Sequence, residues 1–394
     1  MVLAGLSAVS PLATDMYVPG LPEMARSLQA DVAGAQVSLT GFLIGIIVGQ
    51  LALGPLSDSV GRRPVLLTGT SLFVMFSLVC SIAPSILILD VARVGQGLAG
   101  AAGIVVARAT VTDLYDDARS ARAFSVLASV SALGPVLAPL LGGGLLAVAS
   151  WRVVFVVLAV AGALLVIGVL CWVPESLPRE ARASRSVRDT ARSMGRLCAR
   201  RTVLAPVLAL TFGGASIFVY IAGTSFIFQD VYGLGPAVSS MVYGVNALGN
   251  MAGSLAYGRL ARRWRPEALQ RSAIAVALAG ALVLTLSQIM AGAGLLLTWL
   301  CLFVSVTAFG VFFPAVTTLA QSRGRHAPGA TSALLGGGQF AFGAAAAPLV
   351  GLFGTHSPLP MAVIMAACLA LATAAALASS PSTREPLPEE RHAS

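Results

Sequence analysis

Lysine is absent: all 25 basic side chains in the 394 residues are arginine. Charge of either sign is scarce, at 10% of the chain, against roughly 25% in an ordinary soluble domain. With 57% hydrophobic residues and a mean hydropathy of +0.87, this excludes a soluble globular protein. Histidine is nearly missing. His326, His356 and His392 fall at loop ends or in the tail, so no enzyme constellation forms around them. The five cysteines make no framework. Cys80, Cys171, Cys301 and Cys368 lie in apolar runs and Cys198 in a basic loop, which suits small buried hydrophobes rather than disulfides or a metal site. The glycine runs 142–144 and 336–338 are not phosphate loops, because no Lys-Ser/Thr follows and no strand precedes. No nucleotide motif points to ATP. The start lacks a basic region and a small-residue cleavage site, so it reads as a first spanning helix rather than a removable signal.

Long uncharged runs fill the space. None of residues 32–57 or 64–89 is charged, and each run can cross a bilayer core of roughly 30 Å as a helix. Breaks at charge, proline and glycine divide the chain into twelve spans: 2–22, 34–56, 64–83, 86–108, 123–148, 152–173, 203–228, 236–258, 272–291, 294–320, 327–353 and 359–379. The expected fold is therefore an all-α membrane protein. If the turn Gly54–Pro64 is placed inside, the central loop, the tail and the turns after spans 4, 8 and 10 fall on the same side. That side collects 22 of the 25 arginines. Both termini are then cytoplasmic. The +9 net charge follows from topology and does not call for a nucleic-acid partner. The lysine-free, alanine- and glycine-rich composition points to a GC-rich bacterial gene and to its cytoplasmic membrane.

The basic loop 174–202 divides the chain into six-helix halves, 1–173 and 203–380, followed by a tail, 381–394. Within the loop, Val187, Ala191, Met194 and Cys198 recur at helical spacing opposite arginines, as in an amphipathic helix lying on a membrane surface. The halves repeat weakly: GPLSDSVGRRP from Gly54 is echoed by GRLARRWRP from Gly258. A six-plus-six repeat is a transporter signature, with a substrate site expected between the halves.

Gly54, Leu56, Asp58, Gly61, Arg62 and Arg63 fit the pattern G-x-L-x-D-x-x-G-R-R in the turn after span 2. Arg93, Gln96 and Gly97 fit R-x-x-Q-G in span 4, and Gly134-Pro135 with Gly142-Gly143 resembles an element enriched in exporters. On these residues the chain resembles the major facilitator superfamily across its length. The segments Ala13–Pro22, Ala107–Tyr115 and Phe228–Pro236 narrow the resemblance to the Bcr/CflA-like drug:proton antiporters, with Thr112 and Pro139 as departures. The resemblance implies that Asp58 meets the start of span 11 near Ala327 and latches the inner gate. Arg62 or Arg63 can pair with Asp113 at the inner end of span 4.

Asp15 and Arg93 are charges set deep in apolar spans, a placement that costs several kcal/mol and marks function. Asp15 is the candidate proton-coupling carboxylate; the alternative is an outer-end cap. Arg93 needs acceptors, either an acid or main-chain carbonyls, with Asp15 and Asp90 as candidate acids, and a self-contained Asp90–Arg93 pair is the bland reading. Isolated polar and aromatic groups within spans are candidate substrate contacts: Tyr17, Gln96, Tyr220, Phe226, Tyr243, Asn246, Asn250, Phe312 and Gln339. The sequence thus leads to the expectation of a monomeric proton-coupled exporter of a lipophilic, antibiotic-like compound, not an enzyme. It would need no cofactor, and its partners would be small molecule, proton and lipid. The alternatives are a metabolite exporter or importer of the same fold and a non-transporting receptor.

Overall fold

The computed structural model describes residues 1–115, 117–178, 182, 194–292, 294–325, 328–354 and 356–378, and no strand occurs among them. Twelve long helices follow in order: α1 (Val2–Asp15), α2 (Val32–Val60), α3 (Arg62–Ser81), α4 (Ile86–Leu114), α5 (Asp117–Leu146) and α6 (Arg152–Trp172), then α7 (Arg201–Phe226), α8 (Pro236–Leu260), α9 (Pro266–Ala291), α10 (Leu295–Arg323), α11 (Pro328–Ala346) and α12 (Leu359–Ala378). Nine spans among the described residues are individually long and apolar enough to cross a bilayer. The remaining three positions belong to α1, α5 and α8.

Two expected spans are corrected. Span 1 does not run unbroken to residue 22. The helix stops at Asp15, and a 3-10 turn (Val18–Gly20) leads into a short helix, Leu21–Ser27. Pro19 and Pro22 lack the donors that would continue α1, and Pro22 suits the first turn of a new helix. Span 11 stops at Ala346 and resumes only as Leu349–Leu352, because Pro348 cannot supply the next rung. Elsewhere helices overrun the apolar limits: α4 extends to Leu114 and α5 begins at Asp117, since charged ends can stand outside hydrocarbon. Of the expected turn at 292–294, residue 293 lies outside the described residues; Gly292 ends α9 at φ 66°, a conformation that glycine adopts without a Cβ penalty. Of the amphipathic linker helix, Val187 and Ala191 lie outside the described residues; Met194 and Cys198 sit in a short helical turn, 194–198.

The weak repeat reappears as packing. In the first half α2 lies on α4, with Gly97 against the Phe42 carbonyl and Gly45 against Val94 main chain. In the second half α8 lies on α10 in the same way, with Gly310 against the Asn250 carbonyl and Gly253 against the Thr307 carbonyl. Small residues let these backbones approach closely, which is how helices associate when lipid offers no hydrophobic drive. The halves meet along two seams. On one, α5 packs on α8, with Gly143 against Ser240 and Gly244 against Leu140. On the other, α2 packs on α11, where Thr40 donates to the Ala344 carbonyl at 2.7 Å.

Candidate functional site

The early stop of α1 builds the first feature. A helix end leaves its last four carbonyls without internal partners and carries partial negative charge. Arg93 of α4 is wholly buried and places Nη1 3.1 Å from one of these carbonyls, that of Ala13. The same nitrogen donates to Gln96 Oε1 at 2.6 Å, and Nε donates to the Ser38 carbonyl at 3.4 Å. Gln96 passes the chain on to Ser77 Oγ at 2.7 Å. The guanidinium carbon lies 4.3 Å from the Tyr17 ring centre, 4.2 Å from that of Phe42 and 5.7 Å from that of Phe155. Desolvated contacts of this kind contribute about 2 kcal/mol or more. Arg93 is therefore held by neutral groups. The expected acid partners are not engaged: among the described residues no salt bridge joins Arg93 to Asp15 or Asp90, and Asp90 Oδ1 is buried without a hydrogen bond. Arg93 Nη2 is likewise without one.

Helical geometry explains why Asp15 turns elsewhere. It follows Ala13 by two residues, about 200° around the helix, and is only half-buried. No hydrogen bond or ion pair among the described residues reaches its carboxylate. It lies within electrostatic reach of Tyr220 and Tyr243, both in the second half. Those rings sit 5.2 Å apart. Asn246 donates to the Tyr220 hydroxyl at 2.9 Å and accepts from Trp299 Nε1 at 3.1 Å, while the Tyr243 hydroxyl donates to the Ile221 carbonyl at 2.6 Å. An acid of one half thus lies within electrostatic reach of a hydrogen-bonded aromatic cluster of the other.

The second feature lies at the opposite end of the bundle. Arg62 pairs with Asp58 at 2.6 Å and through Nε with Asp113 at 2.9 Å, and donates to Ser57 Oγ at 2.6 Å. Of the two arginines expected to reach Asp113, it is Arg62 that does so. The Asp58 carboxylate engages Arg62; its expected contact at Ala327 lies outside the described residues. Gly61 at φ 118° ends α2 and starts α3. Glu175 was missed by sequence reasoning, although it follows span 6 directly. It accepts from the Arg62 and Arg63 N–H groups at 2.9 and 3.3 Å and so caps α3. Arg63 donates to the Leu170 carbonyl at 2.8 Å. Gly54 faces α4, where a Cβ in its place would stand 3.5 Å from the Val105 side chain.

The remaining candidates divide by environment. Tyr17 and Gln96 belong to the Arg93 cage, and Phe226 and Phe312 are packed in the core. Asn250 donates to the Val306 carbonyl at 3.0 Å. Gln339 lies beside Gly214 and is half-buried. Gly134 adjoins Pro11, and Gly142 meets the Met16 carbonyl just past the end of α1. Gly142 thus lets α5 approach the bend, while Pro135 lies inside α5.

Two packed bundles of long apolar helices, each repeating the packing of the other, have the build of a membrane transporter. The Major Facilitator Superfamily model matches residues 3–348, and the chain belongs to that family. It is 36% identical to the uncharacterized MFS-type transporter YdgK of Bacillus subtilis, over 92% of this chain and 90% of that one. It is 28% identical to the bicyclomycin resistance protein homolog of Haemophilus influenzae, over 95% and 94%. In fold it is similar to a D-xylose-proton symporter, with a TM-score of 0.75 at 16% identity over 95% of each chain. The protein is a multi-pass membrane transporter of the bacterial inner membrane.

Proposed function

We propose that the protein exports a lipophilic, antibiotic-like compound across the cytoplasmic membrane in exchange for protons, by alternating access of its two halves. The turn at Gly54–Pro64 faces the cytoplasm in this reading, and the Arg62–Asp58–Asp113 clamp belongs to the inner gate. The observation that carries the reading is the Asp15 carboxylate. It is an acid with no salt bridge among the described residues, set in an apolar span and within electrostatic reach of Tyr220 and Tyr243 of the other half. An isolated carboxyl there is costly when ionised. It is therefore suited to hold a proton in one state and release it, or engage substrate, in the other. Arg93 keeps a fixed positive charge at the bend behind it, and Asp90 lies within its field. Resemblance to a bicyclomycin resistance protein homolog supports an antibiotic-like cargo.

The test is a susceptibility panel in a host stripped of its own pumps, with proton-driven efflux measured in everted vesicles. Wild type should protect and Asp15→Asn should not, at equal membrane expression. Full proton-driven efflux by Asp15→Asn would overturn the coupling role. Failure of wild type to protect against any compound would overturn the drug reading in favour of a metabolite.

A further inference from the structure

Gln36 is fully buried in the second turn of α2, at the end of the bundle opposite the arginine clamp. Both ends of its amide are engaged by the other half. Nε2 donates to the Ala222 carbonyl of α7 at 3.0 Å, and Oε1 accepts from the Gly351 N–H at 2.9 Å. That N–H lies in the first turn of the short helix Leu349–Leu352, where donors have no acceptor within their own helix. Glycine is what allows the approach: a Cβ at 351 would stand 2.6 Å from Ala33 Cα. The rim around Gln36 carries further links between the halves. Gln229 donates to the Pro19 carbonyl at 2.7 Å, and Arg26 pairs with Asp230 at 3.2 Å. The ion pair is well exposed, 66% and 42% by side chain, and exposed pairs contribute little. Gln36 is the link closed off from water.

We propose that Gln36 is the latch of the outer gate. The inference rests on the alternating-access reading and adds to it the side chain that sets how readily the outer side opens. When the halves part there, the amide and two main-chain groups lose their partners together. The closed state is favoured as long as all three are paired, because a buried polar group left unpaired costs more than the bond itself contributes. Both partners are backbone atoms, so the latch is keyed from α2 alone, and no change of side chain at 222 can replace it.

The test uses the full chain in lipid nanodiscs, with the five native cysteines replaced and spin labels at Ile82→Cys and Phe353→Cys. These are exposed positions in opposite halves. Gln36→Ala should raise the ratio of outer-open to outer-closed molecules by about tenfold, the scale of one to two buried hydrogen bonds. Arg26→Ala should raise it by less than about fivefold. Gln36→Glu supplies a second variant. Ionised, it can accept from Gly351 but cannot donate to Ala222; protonated, it can do both. The outer side should therefore open as pH rises, beyond any response of wild type. A wild-type distance distribution in Gln36→Ala overturns the latch, as does a wild-type pH response in Gln36→Glu. Loss of export in every assay with these shifts intact would strike the export reading and leave the latch standing. Intact wild-type export without the shifts would do the reverse.

Discussion

Arg93→Lys keeps the charge and removes the shape, which separates what the cage holds from what a bare cation needs. The planar guanidinium reaches Ala13, Ser38 and Gln96 while lying against Tyr17 and Phe42. An ammonium on a flexible stem cannot span these acceptors and stack as well. Losing one charge-assisted hydrogen bond removes about 1.5–3 kcal/mol, and losing the desolvated ring contacts about 2 kcal/mol. The expected cost is then about 3.5–5 kcal/mol. At about 2–4 °C per kcal/mol for a unit the size of one half, the melting temperature should fall by at least about 7 °C. The chain carries its own reporter: Cys80 is fully buried and Cys301 nearly so, so a thiol-reactive dye should report unfolding after exposed Cys171 has reacted. A purified Arg93→Lys protein melting within about 2 °C of wild type would refute the caged-guanidinium account.

Glu175→Ala should expose the Arg62 and Arg63 amides that it caps. Loss of about 2 kcal/mol of capping predicts roughly thirtyfold faster hydrogen exchange at those two amides; unchanged exchange would count against the cap. Gly142→Ala drives a methyl into the Met16 carbonyl and should destabilise by about 1–3 kcal/mol, measured as a drop in melting temperature. Gly144→Ala, with nothing within 4 Å, should melt as wild type does. Equal behaviour of the two would show that the bend and α5 are not in close contact.

Twelve spans were legible because charge and proline punctuate long apolar runs, and an arginine pairing with Asp113 was legible, though not which of Arg62 and Arg63 would make it. The bend at Asp15 was less so. Hydropathy continues past residue 15, and only the spacing of Pro19 and Pro22 marks where the helix stops. That small difference decides the site, because it frees the Ala13 carbonyl and so settles Arg93 on main-chain acceptors rather than an acid, the two choices the sequence left open. Asn246 and Tyr220 were visible as isolated polar groups, but their bond to each other, and through Asn246 to Trp299, joins residues far apart in sequence. Gln36 and Glu175 went unremarked because the hydrogen bonds that place them go to main-chain atoms, which no sequence pattern displays.

Helix α2 carries Gln36 near one end and Asp58 near the other, about 33 Å apart at 1.5 Å per residue. Between them Gly45 and Gly49 lie on the backbone of α4, which braces the stretch of α2 ahead of Pro55. A stiff beam that tilts about its middle must move its two ends in opposite directions. The coupling between the gates then needs no chain of signals through the protein. In the alternating-access reading it would be leverage, held by glycine at positions 45 and 49.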